Sequence, residues 1–95
     1  MARYRIEIDR QVRKTLERLG KQDQQRIAVA IAELGDEPRP PGAKLLSGEE
    51  SFYRVRVGDY RIVYEIEGDK LIVRVLRIGH RREIYREFVR RRKGR

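Results

Sequence analysis

Arg54 and Arg56 lie two residues apart in the first half of the run Tyr53–Tyr64, and Arg61 lies in its second half. Two alternating runs joined by a Gly-Asp pair predict a β-hairpin with a two-residue turn. Counting outward from the turn pairs Arg56 directly with Arg61, and the period of two places Arg54 on the same face. Like charges directly opposite each other destabilise a sheet. A face built in this way therefore favours the binding of an anion.

The composition indicates which anion to expect. The chain has 95 residues, with 24 Lys and Arg against 15 Asp and Glu, and its formal net charge is +9. Most of the cations are arginines, whose planar guanidinium matches phosphate geometry. Nucleic acid is therefore the expected partner. The alternative is a solvated, charge-rich surface of the kind that heat-adapted proteins use, since 41% of the residues are charged.

Several kinds of chemistry are not expected from the composition. The absence of cysteine excludes disulfides and thiolate chemistry. One histidine, His80, and scattered carboxylates predict no metal cluster, so we expect no metal or cofactor. No apolar run has the length of a membrane span, and the N-terminus lacks the apolar segment of a signal peptide. We therefore expect a soluble cytoplasmic protein with no membrane partner.

The elements before the hairpin follow from hydrophobic periodicity and from capping residues. Tyr4, Ile6 and Ile8 alternate with charged residues, which predicts a first strand. Asp9 is placed to cap the helix that follows this strand. Gly35 and the prolines after it are expected to break helical structure. The predicted elements are, in order, a strand over 3–8, a helix over 10–19 ended by Gly20, a helix over 22–34, and a loop over 36–48 that tucks a leucine of Lys44-Leu45-Leu46 under the sheet.

A third consecutive strand, over 71–78, is predicted after a tight turn at 67–70. Pairing Tyr64 with Val73 and Ile62 with Val75 puts Arg74 on the face of the three hairpin arginines. Gly79 ends this strand. A terminal helix over 82–92 and a basic tail over 90–95 follow, and the tail is expected to contact RNA phosphates or to act as a solubilising end.

These elements predict a single α+β domain over 1–95, with the order β-α-α-β-β-β-α and a small, mainly antiparallel sheet. The two amphipathic helices are expected to cover the apolar face of the sheet. The cationic face is expected to stay open, because an alternating sheet is covered on one side only.

The chain resembles the RelE/ParE superfamily of bacterial and archaeal toxins along nearly its whole length. Beyond the order of elements, three stretches carry the resemblance: Lys44-Leu45 with Gly48, the hairpin Tyr53–Tyr64, and Gly79-His80-Arg81-Arg82-Glu83-Ile84-Tyr85. RelE-like membership implies a ribosome-dependent endoribonuclease that cuts messenger RNA in the A site. It also implies ribosomal RNA contacts, inhibition by an acidic RelB-like antitoxin, and DNA contact only through the toxin-antitoxin complex.

The resemblance also implies roles for individual residues. Arg61 matches the arginine that contacts the scissile phosphate, Arg81 matches the arginine after the last strand, and Tyr85 matches the tyrosine that stacks on the substrate. Arg54 and Arg56 fall where RelE has lysines. Because arginine is not deprotonated in proteins, neither residue can act as an ordinary general base.

The identity of the proton acceptor is left open by these residues. His80 has a side chain suited to proton transfer near neutral pH, and the alternative is a polar residue at a strand end. Lys44, Arg74 and Arg82 are the remaining cations expected to contact substrate. Two other functions stay open beside the nuclease: a ParE-like inhibitor of DNA gyrase and a noncatalytic basic RNA-binding module.

Overall fold

A computed structural model describes residues 3–46 and 51–80, and within them the chain forms the predicted α+β architecture. The predicted terminal helix and the basic tail lie outside the described residues. Within the described ranges, no helix is long and apolar enough to cross a membrane. The elements are β1 (Arg5–Ile8), α1 (Arg10–Arg18), α2 (Lys21–Asp36), β2 (Lys44–Leu45), β3 (Phe52–Val57), β4 (Tyr60–Glu67) and β5 (Ile72–Gly79).

The strands form one mixed sheet in the order β1-β5-β4-β3-β2. The consecutive strands β3, β4 and β5 form an antiparallel meander, as the sequence predicts, while β1 pairs with β5 in parallel. The short strand β2 was not predicted; it lies in the expected loop and pairs antiparallel with β3. The leucine that this segment tucks away is Leu46, which is buried.

Both helices pack on one side of the sheet, which we call the inner face. Asp9 caps α1 as predicted, because its side chain accepts a hydrogen bond from the Gln11 backbone N–H at 2.8 Å. Apolar residues of the helices and of the central strands bury one another in a single core: Val12, Ile27, Ile31 and Leu34 from the helices, and Ile62, Tyr64, Ile66, Val73, Val75 and Ile78 from the sheet. The opposite side, the outer face, carries Arg54, Arg56 and Arg61.

The predicted register of the β3–β4 hairpin is confirmed. Val57 pairs with Tyr60, Arg56 with Arg61, and Val55 with Ile62. Gly58 has a φ of +60°, a conformation that glycine adopts without steric cost. The turn that the Gly-Asp pair signals therefore fixes which side chains of the two strands oppose each other.

The predicted register between β4 and β5 is wrong by two residues at Tyr64 and by three at Ile62. Tyr64 pairs with Val75 rather than Val73, and a bulge lies between Val63 and Tyr64 in this ladder. Ile62 consequently pairs with Ile78 instead of Val75. The extra residue on β5 returns Ile78 to the core, where strict alternation from Val75 would have turned it outward.

Gly35 does not end α2, contrary to the sequence-based expectation. The helix continues to Asp36, and Gly35 is buried against the first strand. A β-carbon at this position would lie 3.1 Å from the backbone oxygen of Tyr4, and the Tyr4 N–H donates to the Gly35 oxygen at 2.8 Å. The glycine is thus a point of close approach between helix and strand rather than a helix stop.

A cluster of two tyrosines anchors the loop after α2 to the sheet. The buried Tyr64 hydroxyl donates to the Pro38 carbonyl at 2.7 Å, and the ring of Tyr53 stacks on that of Tyr64 at 5.9 Å. Arg39 donates from Nε to the Tyr53 hydroxyl at 2.9 Å, and this hydrogen bond raises the pKa of Arg39. Burial, with a smaller contribution from Tyr53, raises the pKa of Tyr64 well above the ordinary value for tyrosine.

Replacing Tyr64 with Phe tests this anchor. The variant leaves the buried Pro38 carbonyl unpaired, so we expect the free energy of unfolding to fall by about 1 kcal/mol at neutral pH. Because the hydroxyl stays protonated in the folded state but ionises in the unfolded chain near about pH 10, its contribution is fully present below that pH and is lost above it. Urea denaturation of both proteins from neutral to alkaline pH measures this. A stability difference that stays constant through the alkaline range would contradict the assignment.

Candidate functional site

The opposed pair Arg56 and Arg61 lies beside an open hollow at the end of the hairpin. The hollow has a volume of about 390 Å³ and is lined by Arg56, Gly58, Asp59, Arg61 and His80. Two guanidinium groups, one imidazole and one carboxylate therefore surround a single space. Three of the predicted site residues are brought together here, and Asp59 is a lining residue that the sequence reasoning missed.

Arg61 is tied to the end of β5. Its guanidinium donates to the His80 carbonyl at 3.3 Å. Arg61 pairs across the ladder with Gly79, which has no side chain to fill the space beside it. The imidazole of His80 rests against the Tyr60 ring, with the ring centroids 4.9 Å apart. The last residues of β5 thus hold both Arg61 and His80 at the hollow.

A further cation approaches the hairpin from the helical layer. A β-carbon placed on Gly58 would lie 2.7 Å from a terminal guanidinium nitrogen of Arg26 on α2. Arg26 also forms an ion pair with Asp23 one turn earlier, at 3.6 Å. The positive φ favours glycine at position 58, whereas the guanidinium of Arg26, at the end of a flexible side chain, can move aside.

A second cationic row lies next to the opposed pair. The ladders place Lys44 opposite Arg54, Arg54 opposite Val63, and Val63 opposite Arg77. Directly opposite residues in antiparallel strands point to the same face, so this row runs across the outer face from β2 to β5. Lys44 and Arg54, both predicted to be site residues, share this row with Arg77.

The outer face is not cationic throughout, because an apolar cluster lies among these rows. Leu46, Phe52 and Val63 are buried there, and Leu76 packs against them. The apolar residues hold the β2 segment against the sheet. The cationic rows consequently lie beside an apolar cluster and do not form a continuous sheet of charge.

Arg74, a predicted substrate-binding residue, lies among carboxylates. It contacts Glu7 at 3.0 Å and Glu65 at 3.7 Å, and it donates a hydrogen bond to Glu67. The hydrogen bond that Arg74 donates to Glu67, followed by the negative charges of all three carboxylates, raises the pKa of Arg74. The three carboxylates keep the charge of Arg74 engaged within the protein. Arg74 therefore ties β1, β5 and β4 together, and its contact with substrate stays a prediction.

Three predicted site residues, Arg81, Arg82 and Tyr85, lie outside the described residues. Arg77 was missed because strict alternation along β5 puts it on the inner face, and only the bulge brings it out. Within 3–46 and 51–80, no group of three or more His, Cys, Asp or Glu side chains is arranged to hold a metal ion. What the described site offers is therefore guanidinium groups, an imidazole and one carboxylate, a set suited to binding and polarising a phosphodiester.

The family follows from the fold, the hairpin and a sequence match. The family model described as the ParE toxin of type II toxin-antitoxin systems, parDE, matches residues 6–85. The chain belongs to the RelE/ParE superfamily of type II toxin-antitoxin toxins. Toxin RelE3 of Methanocaldococcus jannaschii is 47% identical over 45 residues, which cover 47% of this chain and only 49% of that protein.

Longer matches extend over almost the whole chain. The mRNA interferase toxin RelE of Escherichia coli K12 is 28% identical over 91 residues, covering 93% of this chain and 96% of that protein. The archaeal RelE-RelB complex from Pyrococcus horikoshii OT3 contains a chain with a TM-score of 0.75 and 31% identity, covering 83% of this chain and 96% of that one. A mutant E. coli RelE toxin in the free state gives a TM-score of 0.76 and 27% identity, with coverages of 96% and 98%.

The repulsion between Arg56 and Arg61 predicts that removing one of the two charges stabilises the fold. Replacing Arg56 with Thr removes a like charge facing Arg61 and introduces a residue that favours strands, so we expect the free energy of unfolding to rise by about 0.2–1 kcal/mol. The gain should shrink at high salt, because screening already weakens the repulsion. Denaturant unfolding at low and high salt measures it. Arg56→Lys keeps the charge and is the matched control; a loss of stability in the Thr variant would show that Arg56 serves the fold.

Proposed function

We propose that this chain is a ribosome-dependent endoribonuclease that cuts messenger RNA in the A site. The observation that carries the proposal is the convergence of Arg56, Arg61 and His80 on one hollow at the rim of the outer face. The opposed arginines lower the stability of the hairpin, which is expected where a charged ligand supplies the missing counter-charge. A relative named as an mRNA interferase, similar over nearly its whole length, supports the same activity.

The reaction needs positioned cations more than reactive groups. The ribose 2′-oxygen attacks the adjacent phosphorus, the bond from phosphorus to the 5′-oxygen breaks, and the 2′-proton is lost while the leaving oxygen gains one. Negative charge develops on the nonbridging and leaving oxygens. Arg61, held by its hydrogen bond to the His80 carbonyl, is placed to stabilise that charge, and Arg56 lies directly across from it. The products are a 2′,3′-cyclic phosphate and a 5′-hydroxyl.

The proton from the 2′-hydroxyl requires an acceptor other than arginine. His80 lines the hollow with Arg56 and Arg61, and its ring is oriented by Tyr60. We assign the role of general base to His80 on this placement. The family resemblance adds Arg81 as a second phosphate contact and Tyr85 as the ring that stacks on the substrate base.

The proposed partners are the ribosome and an acidic RelB-like antitoxin. An exposed cationic surface binds nonspecifically to RNA unless a partner covers it, and opposite charge speeds and specifies that association. Similar solved structures are complexes of RelE with RelB, from archaea and from bacteria. We propose that the antitoxin of this chain acts through the same cationic surface, and that any contact with DNA occurs through the toxin-antitoxin complex.

Primer extension on a translated message after induction of the chain in cells tests the activity. We expect cuts phased with the reading frame. Arg61→Ala should lower the cleavage rate on programmed ribosomes by about 100-fold or more, as the loss of one preorganised donor does elsewhere. Arg13→Ala, an equal change in charge on the exposed surface of α1, is the control and should cut normally.

The same assay separates the nuclease from its alternatives. The matching family model bears the ParE name, which favours gyrase inhibition as the second candidate. Toxicity without phased cuts, and at full strength in Arg61→Ala, would contradict cleavage and favour the gyrase target. Tight RNA binding without cuts or toxicity would favour a noncatalytic module.

His80→Gln tests the proposed base. Gln keeps a polar side chain and leaves the backbone carbonyl that accepts from Arg61, so ribosome binding should be retained while the maximal cleavage rate falls by about 100-fold or more. The rate should also lose its dependence on pH on the acidic side. Asp59→Asn, at the other titratable side chain of the hollow, is the comparison. If His80→Gln cuts at the normal rate and Asp59→Asn does not, the carboxylate is the acceptor.

A further inference from the structure

Arg77 is brought to the outer face by the irregularity in β5. Val75 pairs with Tyr64, and Arg77 pairs with Val63, so Leu76 is the extra residue of a bulge. Leu76 packs in the apolar cluster of the outer face, and Arg77 follows it on the same side, opposite Val63. Bulges beside functional sites commonly re-aim a side chain in this way.

The register places Arg77 close to Arg61. Arg61 is opposite Gly79, and Arg77 is two residues earlier on the same strand, which makes the two arginines diagonal neighbours. Diagonal positions of this kind lie about 7–8 Å apart, within reach of long side chains. Arg54 holds the corresponding diagonal position on β3, because it is two residues before Arg56. Arg61 therefore has a diagonal arginine on each neighbouring strand, in addition to Arg56 directly opposite it.

The surroundings of Arg77 differ from those of Arg74, three residues earlier. Arg74 is engaged by Glu7, Glu65 and Glu67. Arg77 forms no ion pair with a carboxylate of residues 3–46 and 51–80 and is half-buried. A half-buried arginine lays its stem on apolar surface while its guanidinium reaches solvent. Among the residues that the structure describes, no carboxylate neutralises the charge of Arg77, so this charge can serve an external anion.

We propose that Arg77 forms a second phosphate-binding subsite, which holds the phosphate next to the scissile one at Arg61. The inference rests on the proposed nuclease function and extends its substrate contacts. The ligand class is the phosphodiester backbone of single-stranded RNA. The row of Arg77 and the row of Arg61 are two residues apart along the strands, about 7 Å, which is close to the separation of consecutive phosphates in an extended strand.

This assignment implies a contribution to affinity rather than to the chemical step. A phosphate contact fixes the position of the RNA and carries no sequence information. Arg77 should therefore lower the toxin concentration needed for cleavage, and it should do so equally for different codons. Its contribution should also depend on salt, because each neutralised phosphate of a single strand releases counterions.

Single-turnover cleavage on programmed ribosomes, measured over toxin and salt concentrations, tests the subsite. In Arg77→Ala we expect the half-saturating toxin concentration to rise about 10-fold, the size of one charged hydrogen bond, with a nearly unchanged maximal rate. The slope of log affinity against log salt should become less steep by about 0.7. Arg77→Lys should restore most of the slope, whereas Arg77→Gln, which keeps much of the stem without the charge, should not. Arg13→Ala is the charge-matched control.

Two outcomes would overturn the subsite. In one, Arg77→Ala and Arg77→Gln keep the normal half-saturating concentration and salt slope while the wild-type chain cuts. In the other, Arg77→Gln lowers the maximal rate alone. If the wild-type chain does not cut at all, the proposed function fails, and the subsite is judged by the binding of a short labelled oligouridylate: a slope flattened by Arg77→Ala supports it, and an unchanged slope refutes it.

Discussion

The repulsion between Arg56 and Arg61 is the constraint that the rest of the structure has to offset. Opposed like charges cost up to about 1 kcal/mol in a sheet. On the reverse side of the same strands, Ile62 and Tyr64 are completely buried, and burying one such side chain contributes about 1.5–3 kcal/mol. The stabilisation from apolar burial therefore exceeds the cost of the repulsion. The sheet can present cations on one side because helices cover the other.

The hairpin could be predicted from the sequence because its register is a local property. The Gly-Asp turn joins the strands directly, so counting from Gly58 fixes every pair. The β4–β5 register follows a longer connection in which Leu71 has a φ of +56° and turns the chain before the strand begins. Burial of Ile78 then selects the bulge, and no count along the sequence reveals that choice.

Gly35 and Arg74 are two further positions where a contact with a sequence-distant residue decides the outcome, and local sequence patterns do not reveal such contacts. A glycine late in a helical pattern usually marks a helix end, but here its missing side chain admits the backbone of Tyr4, which is distant in sequence. Arg74 has the residue type and the face of a phosphate ligand, yet Glu7 reaches it from a strand at the other end of the described chain. Up to the bulge in β5, residue type and parity predicted which side chains share a face, whereas contacts between sequence-distant elements decide which charges are neutralised within the described chain.

The parallel pairing of β1 with β5 has a consequence for the order of assembly. Arg5 and Ile72 are register partners, so the first strand made during synthesis lacks its neighbour until nearly all of the described chain has been translated. The meander β3-β4-β5 needs only short connections, and contacts with small sequence separation form faster. We therefore expect the cationic strands to associate first and β1 to dock last. A nascent chain would then display its charged surface before the sheet is complete, beside the very ribosome that is making it.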